Sequence, residues 1–256
     1  MRRKNKGIAW EWGRYLINLR KKYEEQAEVG YFIREVSLGL DESEVFLVNG
    51  PMKKPGYVLD VGCGAGREAI VLAKLGYRLK AIDISMAMIE AAKKESRKEG
   101  LNIDFERLDI TELNPDGLFD YCLFSSGVYN SIPARALRIQ TLKRVVSSLK
   151  PQGRLFLPIG IARRPKMIFS RSFIKYNLSA GLKFVLGDRC KIEPGDTLIS
   201  QVSPVSKSRV KVFHHFFFSF SEIKDELEAS GLCARMLSPG LWQVSKPFAD
   251  DIQPPV

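Results

Sequence analysis

The stretch from residue 57 to residue 85 constrains the fold more than any other part of the sequence. It begins with a short apolar run, which is typical of a buried parallel strand. Gly62, Gly64 and Gly66 follow, and glycine permits sharp turns and close approach of a ligand to the backbone. A helical pattern of apolar residues and a second apolar run, residues 79–84, complete the stretch. This order predicts a βαβ unit that binds a nucleotide.

Two acidic residues indicate what kind of ligand the unit accepts. Asp60 lies two residues before the first glycine, and Asp83 lies about 20 residues after it, near the end of the second strand. A carboxylate at the second position accepts hydrogen bonds from the hydroxyls of a ribose. The glycine spacing is G-x-G-x-G, whereas a dinucleotide fold uses G-x-G-x-x-G for a pyrophosphate. An acid beside the loop repels pyrophosphate, so the pattern favours a cationic ligand with a ribose.

The unit resembles the first motif of the class I S-adenosylmethionine-dependent methyltransferases. The matching positions are Asp60, Gly62, Gly64, Gly66 and Asp83. The resemblance implies that S-adenosylmethionine is the cofactor, that the glycine loop wraps its methionine part, and that Asp83 holds its ribose. The alternative is a Rossmann-like fold with a dead or different pocket.

Later strand ends extend the resemblance. Asp109 follows the predicted third strand, where the family places an acid on the adenine amino group; the alternative is a turn aspartate that caps Thr111. Ser125 follows the very apolar run 119–124, and by resemblance its backbone faces the methionine amine. The cofactor-binding residues implied are Asp60, Gly62, Cys63, Gly64, Gly66, Asp83, Ile84, Asp109, Ile110 and Ser125.

The element order and the resemblance together predict an α/β fold. We expect a Rossmann-like, doubly wound sheet of seven strands whose last strand is antiparallel. Residues 1–50 are predicted to form a helical cap that closes over the cofactor, or else only covers the sheet edge. Residues 51–256 are predicted to form the methyltransferase domain, with residues 160–219 inserted on the acceptor side. Within this domain, Ser221 is predicted to N-cap a late helix.

The catalytic residues are not identified by any motif. The candidates are Tyr129, which follows the fourth strand, and His215; a structural role is the alternative for each. His214 and His215 are the only histidines, and neighbours on a strand point to opposite faces, so one is expected to be buried and the other to face the pocket. The sequence lacks the Asn/Asp-Pro-Pro-Tyr/Phe and Pro-Cys signatures of methyltransferases that act on nucleic-acid bases.

The distribution of charge leaves three hypotheses about function and partners open. The net charge is +11, and residues 158–219 carry eleven Lys/Arg against three acids, while residues 1–22 carry eight against one. Because these segments lie outside the cofactor motifs, they concern the acceptor or a partner surface. The first hypothesis is a methyltransferase for a small-molecule acceptor. The second is that the basic segments bind RNA, or else an anionic membrane surface. A non-catalytic cofactor-binding protein is the third hypothesis.

The cysteines bear on metal binding and on location. Cys63, Cys122, Cys190 and Cys233 lie far apart and form no C-x-x-C, so we expect neither a metal site nor a disulfide framework. This pattern favours a reducing cytoplasm. Near the start, residues 10–14 interrupt any signal-peptide core.

Overall fold

The computed structural model describes residues 17–52, 54–115, 117–161, 193, 195–202, 207 and 209–247. The spacing of apolar and basic residues over 166–180 predicts a basic amphipathic helix, and these residues lie outside the described ranges. The helices are α1 (residues 17–24), α2 (Gln26–Glu35), α3 (Glu42–Asn49), α4 (Arg67–Lys74), α5 (Met86–Lys98), α6 (Arg135–Ser147) and α7 (Phe220–Glu228). The strands are β1 (Tyr57–Val61), β2 (Arg78–Asp83), β3 (Asp104–Arg107), β4 (Phe119–Phe124), β5 (Leu149–Pro158), β6 (Asp196–Val202), β7 (Arg209–His215), β8 (Cys233–Ser238) and β9 (Leu241–Ser245).

Seven of these strands form one twisted sheet in the order β3-β2-β1-β4-β5-β9-β8. The pairs formed among β1 to β5 are parallel, and β9 is antiparallel to both β5 and β8. The predicted α/β fold with an antiparallel last strand is therefore confirmed. Strand order reverses between β1 and β4, and ligands bind at the carboxyl ends of the strands at such a point.

The central strand is buried on both faces. Leu59 and Val61 of β1 belong to one hydrophobic cluster, and Val58 belongs to another on the opposite side of the sheet. Successive side chains on a strand alternate between faces, so a sheet covered by helices on both sides needs apolar residues at nearly every position.

Helix α7 begins earlier than the sequence predicted. Ser219, not Ser221, is the N-cap residue: its backbone is extended and its hydroxyl accepts a hydrogen bond from Glu222 N at 3.1 Å. Both serines lie near the helix start, and only the backbone conformation decides which of them caps it.

Two parts of the chain flank the carboxyl edge of the sheet. On one side, α2 packs against α4 and α5. On the other side, β6 and β7 form a separate antiparallel hairpin within the predicted insertion, with Asp196 opposite His215. None of the helices that the structure describes is long and apolar enough to cross a membrane.

Candidate functional site

A cavity of about 250 Å³ lies at the carboxyl ends of β1, β2 and β4. Most of its lining comes from the sheet edge, with Leu19, Tyr23 and Phe32 contributed by α1 and α2. Ile199 and His214 of the β6–β7 hairpin close another side. The predicted cofactor-binding residues that line it are Gly62, Gly64, Asp83, Ile84, Asp109, Ile110 and Ser125.

The glycine loop needs its glycines for space as well as for conformation. Gly62 and Gly64 have φ values of 82° and 52°, in the left-handed region that other residues avoid. A Cβ on Gly62 would overlap Val128 Cγ2, and one on Gly64 would lie 3.2 Å from Phe32 Cδ1. The bare backbone of this loop therefore forms part of the cavity wall. Gly66, in contrast, does not line the cavity and is the N-cap residue of α4.

Asp83 connects the loop to the second strand. Its Oδ2 accepts a hydrogen bond from Gly64 N at 3.1 Å, and its Oδ1 accepts one from Ser85 N at 2.8 Å. Burial raises the pKa of Asp83, and these backbone hydrogen bonds oppose that rise. The carboxylate thus orders the loop backbone and also faces the cavity.

Asp60 is buried beneath the loop and does not line the cavity. It is 1% exposed, and neither carboxylate oxygen has a hydrogen-bond partner among the residues that the structure describes. Burial, with added repulsion from Glu44 and Asp83, raises its pKa to about 7, although Arg67 opposes the shift. A buried acid without a partner is costly, so a cationic group bound above the loop would relieve it.

The helical cap is linked to this loop by an ion pair that the sequence did not reveal. Arg67, the first residue of α4, donates to both carboxylate oxygens of Glu44 at 2.7 and 2.6 Å, and to Gly39 O at 2.6 Å. Glu44 also completes a capping box with Asp41 at the start of α3. Because Glu44 and Arg67 are 23 residues apart, no helical spacing signals the pair.

Asp109 forms the turn with Thr111 that was predicted as the alternative to a contact with the adenine amino group. Its Oδ1 accepts hydrogen bonds from Thr111 N at 2.9 Å and from Thr111 Oγ1 at 2.8 Å. The residue nevertheless lines the cavity, as do its neighbours Leu108 and Ile110. Cys63, within the glycine loop, is buried and does not line the cavity.

Neither catalytic candidate from the sequence lines the cavity. Tyr129 is 1% exposed and donates a hydrogen bond from its hydroxyl to Glu226 Oε1 at 2.7 Å. Burial and this carboxylate raise the pKa of Tyr129 well above its ordinary value. His215 is also buried, with Nδ1 2.7 Å from Asp196 Oδ1. Its neighbour His214 lines the cavity instead. The sequence predicted that one of the two histidines would face the cavity, but alternation on a strand does not say which one.

One cluster outside the cavity has the residue types of a metal site. Glu193, Asp196 and His215 bring potential ligand atoms within 4.8 Å of one another, although no spacing in the sequence signals it. These groups already have partners: Arg138 Nη2 donates to Glu193 Oε2 at 3.0 Å, and Glu193 N donates to Asp196 Oδ2 at 2.9 Å. The guanidinium therefore supplies the positive charge that the carboxylates need.

Comparisons with known proteins agree with this geometry. Residues 58–153 match the family model described as a methyltransferase domain. The ubiquinone biosynthesis O-methyltransferase of Bradyrhizobium diazoefficiens is 35% identical over 96 residues, which cover 38% of this chain and 36% of that protein. The enzyme of the same name from Coxiella burnetii is 29% identical over 126 residues, covering 49% and 50%. The chain thus spans half or less of the length of these curated relatives.

A solved structure shares the fold over most of the chain. It is the 1,6-didemethyltoxoflavin-N1-methyltransferase of Burkholderia thailandensis with its substrate and S-adenosylhomocysteine bound. The TM-score is 0.59, the sequence identity is 14%, and the match covers 95% of this chain and 90% of the other. At this identity the likeness concerns the fold alone.

Proposed function

We propose that this chain, whose residues 58–153 match a methyltransferase-domain family model, is a class I S-adenosylmethionine-dependent methyltransferase that transfers the methyl group to a small molecule. The observation that carries the proposal is the cavity over the glycine loop. Gly62, Gly64 and Asp83 line it near the switch point of the sheet. The buried carboxylate of Asp60, two residues before Gly62, has no hydrogen-bond partner among the described residues.

The residues present fit this cofactor in charge and shape. Asp83 faces the cavity and would accept hydrogen bonds from the ribose hydroxyls. Asp109 and Ile110 would border the adenine, and Ser125 would border the methionine part. Asp60, in its ionised form, would favour a sulfonium over a neutral thioether. When bound, the cofactor supplies an electrophilic methyl group, and the protein contributes orientation and the exclusion of water.

A small-molecule acceptor is supported by the form and charge of the cavity. Its outer wall is formed mainly by apolar residues, among them Leu19, Phe32, Ile132 and Ile199. Among the described residues that line it there is no Lys or Arg to bind a phosphate. The curated relatives include ubiquinone biosynthesis O-methyltransferases, and the Burkholderia structure carries the small molecule 1,6-didemethyltoxoflavin. Free cysteines at positions 63, 122 and 233 support a cytoplasmic location, which we also propose.

Calorimetry and a transfer assay test this function. We expect S-adenosylmethionine to bind with a dissociation constant of about 1 μM, which corresponds to a binding free energy of about −8 kcal/mol. Methyl-labelled cofactor should pass its label to members of a mixture of small aromatic metabolites and not to transfer RNA. Labelling of RNA alone would support the RNA alternative, and binding without any transfer would support a non-catalytic protein. Absence of binding would overturn the proposal.

We further propose that residues 1–50 act as a lid and that residues 160–219 form the acceptor side of the site. In the described part of the first segment, Tyr23 and Phe32 line the cavity, and Ser85 Oγ donates to Tyr23 O at 2.9 Å. In the second segment, Ile199 and His214 line it. A lid of this kind excludes water from the reacting groups.

Hydrogen exchange tests the lid. With saturating S-adenosylhomocysteine, amides of α1 and α2 should exchange at least about tenfold more slowly, because a ligand in the cavity would contact Leu19, Tyr23 and Phe32. Amides of α7 serve as the internal control, since that helix contributes no residue to the cavity lining. Equal protection of α1 and α2 in the free and bound protein would instead favour a simple cover of the sheet edge.

A further inference from the structure

We infer that His214 accepts the proton of the methyl acceptor, and that the acceptor presents a neutral hydroxyl on an apolar body. This inference rests on the proposed function and goes beyond it by assigning the attacking group and the residue that faces it. Four observations carry it: the position of His214, the fixed backbone around it, the charges of the cavity, and the state of its ring.

The first observation is position. His214 lies on β7, and its side chain lines the same cavity as Gly64 and Asp83. Its ring packs against the ring of Phe216, with a centroid distance of 4.4 Å and an interplanar angle of 55°. Ile199, on the neighbouring strand β6, lines the same wall. Both residues of this wall belong to the predicted insertion, residues 160–219.

The second observation is that the backbone beside His214 is held in place by buried contacts. The carbonyl of His215 accepts a hydrogen bond from Asn130 Nδ2 at 2.8 Å, and the His215 ring contacts Asp196 on the opposite strand. Asn130 lies just beyond the loop after β4, which itself borders the cavity at Ser125 and Val128. The hairpin therefore keeps a fixed position relative to the cofactor loop, as a residue that must meet a reacting atom requires.

The third observation is the charge of the cavity. The titratable groups that line it are Tyr23, Asp83, Asp109 and His214, and on the strand of His214 the adjacent titratable group is His215. Asp83 and Asp109 belong to the predicted cofactor side. Within the described residues, the lining of the cavity is mostly apolar and contains no Lys or Arg. A neutral hydroxyl fits this environment, because it needs only a hydrogen-bond acceptor.

The fourth observation is the state of the ring. Burial, together with the neighbouring His215, lowers the pKa of His214 to about 4. The imidazole is therefore neutral at pH 7 and offers a nitrogen lone pair to a donor in the cavity. The other titratable groups of the cavity are poorer acceptors for this proton. The carboxylates of Asp83 and Asp109 already accept hydrogen bonds from backbone N–H groups. Burial raises the pKa of Tyr23 to about 12, so its hydroxyl keeps its own proton.

The proton transfer is balanced without further reactants. As the acceptor oxygen bonds to the methyl carbon, its O–H group becomes strongly acidic, so the O–H bond breaks and the proton moves to a ring nitrogen of His214. The oxygen electron pair forms the new O–CH₃ bond, and the electron pair of the broken C–S bond remains on sulfur in the departing S-adenosylhomocysteine. His214 then returns the proton to solvent, which restores the neutral ring.

Three probes with the same carbon skeleton test the assignment. They are 1-naphthol, 1-naphthylamine and naphthalene-1-thiol, each offered with methyl-labelled S-adenosylmethionine. An aromatic thiol is largely anionic at pH 8 and needs no base, whereas the phenol does. We expect His214→Gln to lower transfer to 1-naphthol by about 10²- to 10⁴-fold and transfer to the thiol by less than about threefold. Lys211→Gln, an exposed change on the same strand, is the matched control.

A second readout does not depend on turnover. The sequence contains only two histidines, so ¹⁵N-histidine labelling gives two ring systems, and the spectrum of His215→Gln assigns them. With S-adenosylhomocysteine bound, the His214 ring should be neutral at pH 7, and saturating 1-naphthol should shift one of its nitrogens. Three results would each overturn the inference. They are an equal loss of transfer to 1-naphthol and to the thiol, a His214 ring that is protonated at pH 7, and His214 nitrogen signals that neither 1-naphthol nor 1-naphthylamine shifts. Failure of the proposed function would be distinct, since the wild-type protein would then not bind S-adenosylmethionine in calorimetry.

Discussion

Replacement of Arg138 by methionine is expected to lower the free energy of unfolding by about 3–5 kcal/mol. The Arg138 side chain is fully buried, and its Nε and Nη2 donate to the two carboxylate oxygens of Glu226 at 2.7 and 2.8 Å. The substitution fills a similar volume but removes the buried, hydrogen-bonded cation of Glu226 and leaves only the half-exposed Arg135 at 3.6 Å. The uncompensated charge, rather than a lost contact, causes the expected loss.

The network around Arg138 makes the effect larger than that of a surface pair. Glu226 also accepts from Tyr129, and Arg138 also donates to Glu193, which lies beside the β6–β7 hairpin. Burial tends to raise the pKa of Glu226, but the hydrogen bonds and charge of Arg138 outweigh this, and its net pKa is lowered. The pair therefore joins α6 to α7 through groups that water does not reach, and partly buried Glu193 extends the network towards the hairpin.

Urea denaturation followed by circular dichroism measures this change. Arg135→Met is the matched control: the Arg135 side chain is 46% exposed, it lies 3.6 Å from the same Glu226, and its loss should cost less than about 1 kcal/mol. The double variant Arg138→Met, Glu226→Leu should recover much of the loss, because both charges are then absent. A single variant as stable as the control would show that Glu226 is solvated or neutral in the folded protein.

Replacement of Asp83 by alanine is expected to weaken S-adenosylmethionine binding by roughly 1.5–3 kcal/mol, or about 10- to 150-fold. The change removes the acceptor for the ribose hydroxyls and the two hydrogen bonds to Gly64 N and Ser85 N. The loop that the proposal assigns to the methionine part thereby loses its link to β2. Calorimetry with wild type and variant gives the difference directly.

Two further variants separate the contributions. Asp83→Asn keeps a carbonyl oxygen that can accept a hydrogen bond but loses the charge, so its affinity should lie between wild type and Asp83→Ala. Glu106→Gln removes a half-exposed carboxylate that pairs with Lys80, and it should leave the affinity unchanged. Circular dichroism of each variant checks that it is folded. Undiminished binding by Asp83→Ala would remove Asp83 from the cofactor site.

Several features could be predicted from the sequence because their signals are local. The glycines of the loop adopt positive φ values, which are a local property of the backbone. Their spacing at every second position can be read directly from the sequence. The apolar runs of β1, β2 and β4 identify buried strands, and parallel strands joined by helices place their carboxyl ends at one edge. The predicted cofactor residues Asp83, Ile84, Asp109 and Ser125 consequently line one cavity.

The sheet, the glycine loop and most of the predicted cofactor side thus follow from the amino-acid sequence, since each depends on period, spacing and backbone conformation over short distances. The three-dimensional packing was needed to learn that His214 lines the cavity and that Tyr129 and His215 do not, because alternation on a strand defines two faces but not which one is covered. The partnership of Arg138 with Glu226 joins residues 88 apart in the chain. Such pairs depend on how helices pack over the sheet, and that packing is a property of the whole core.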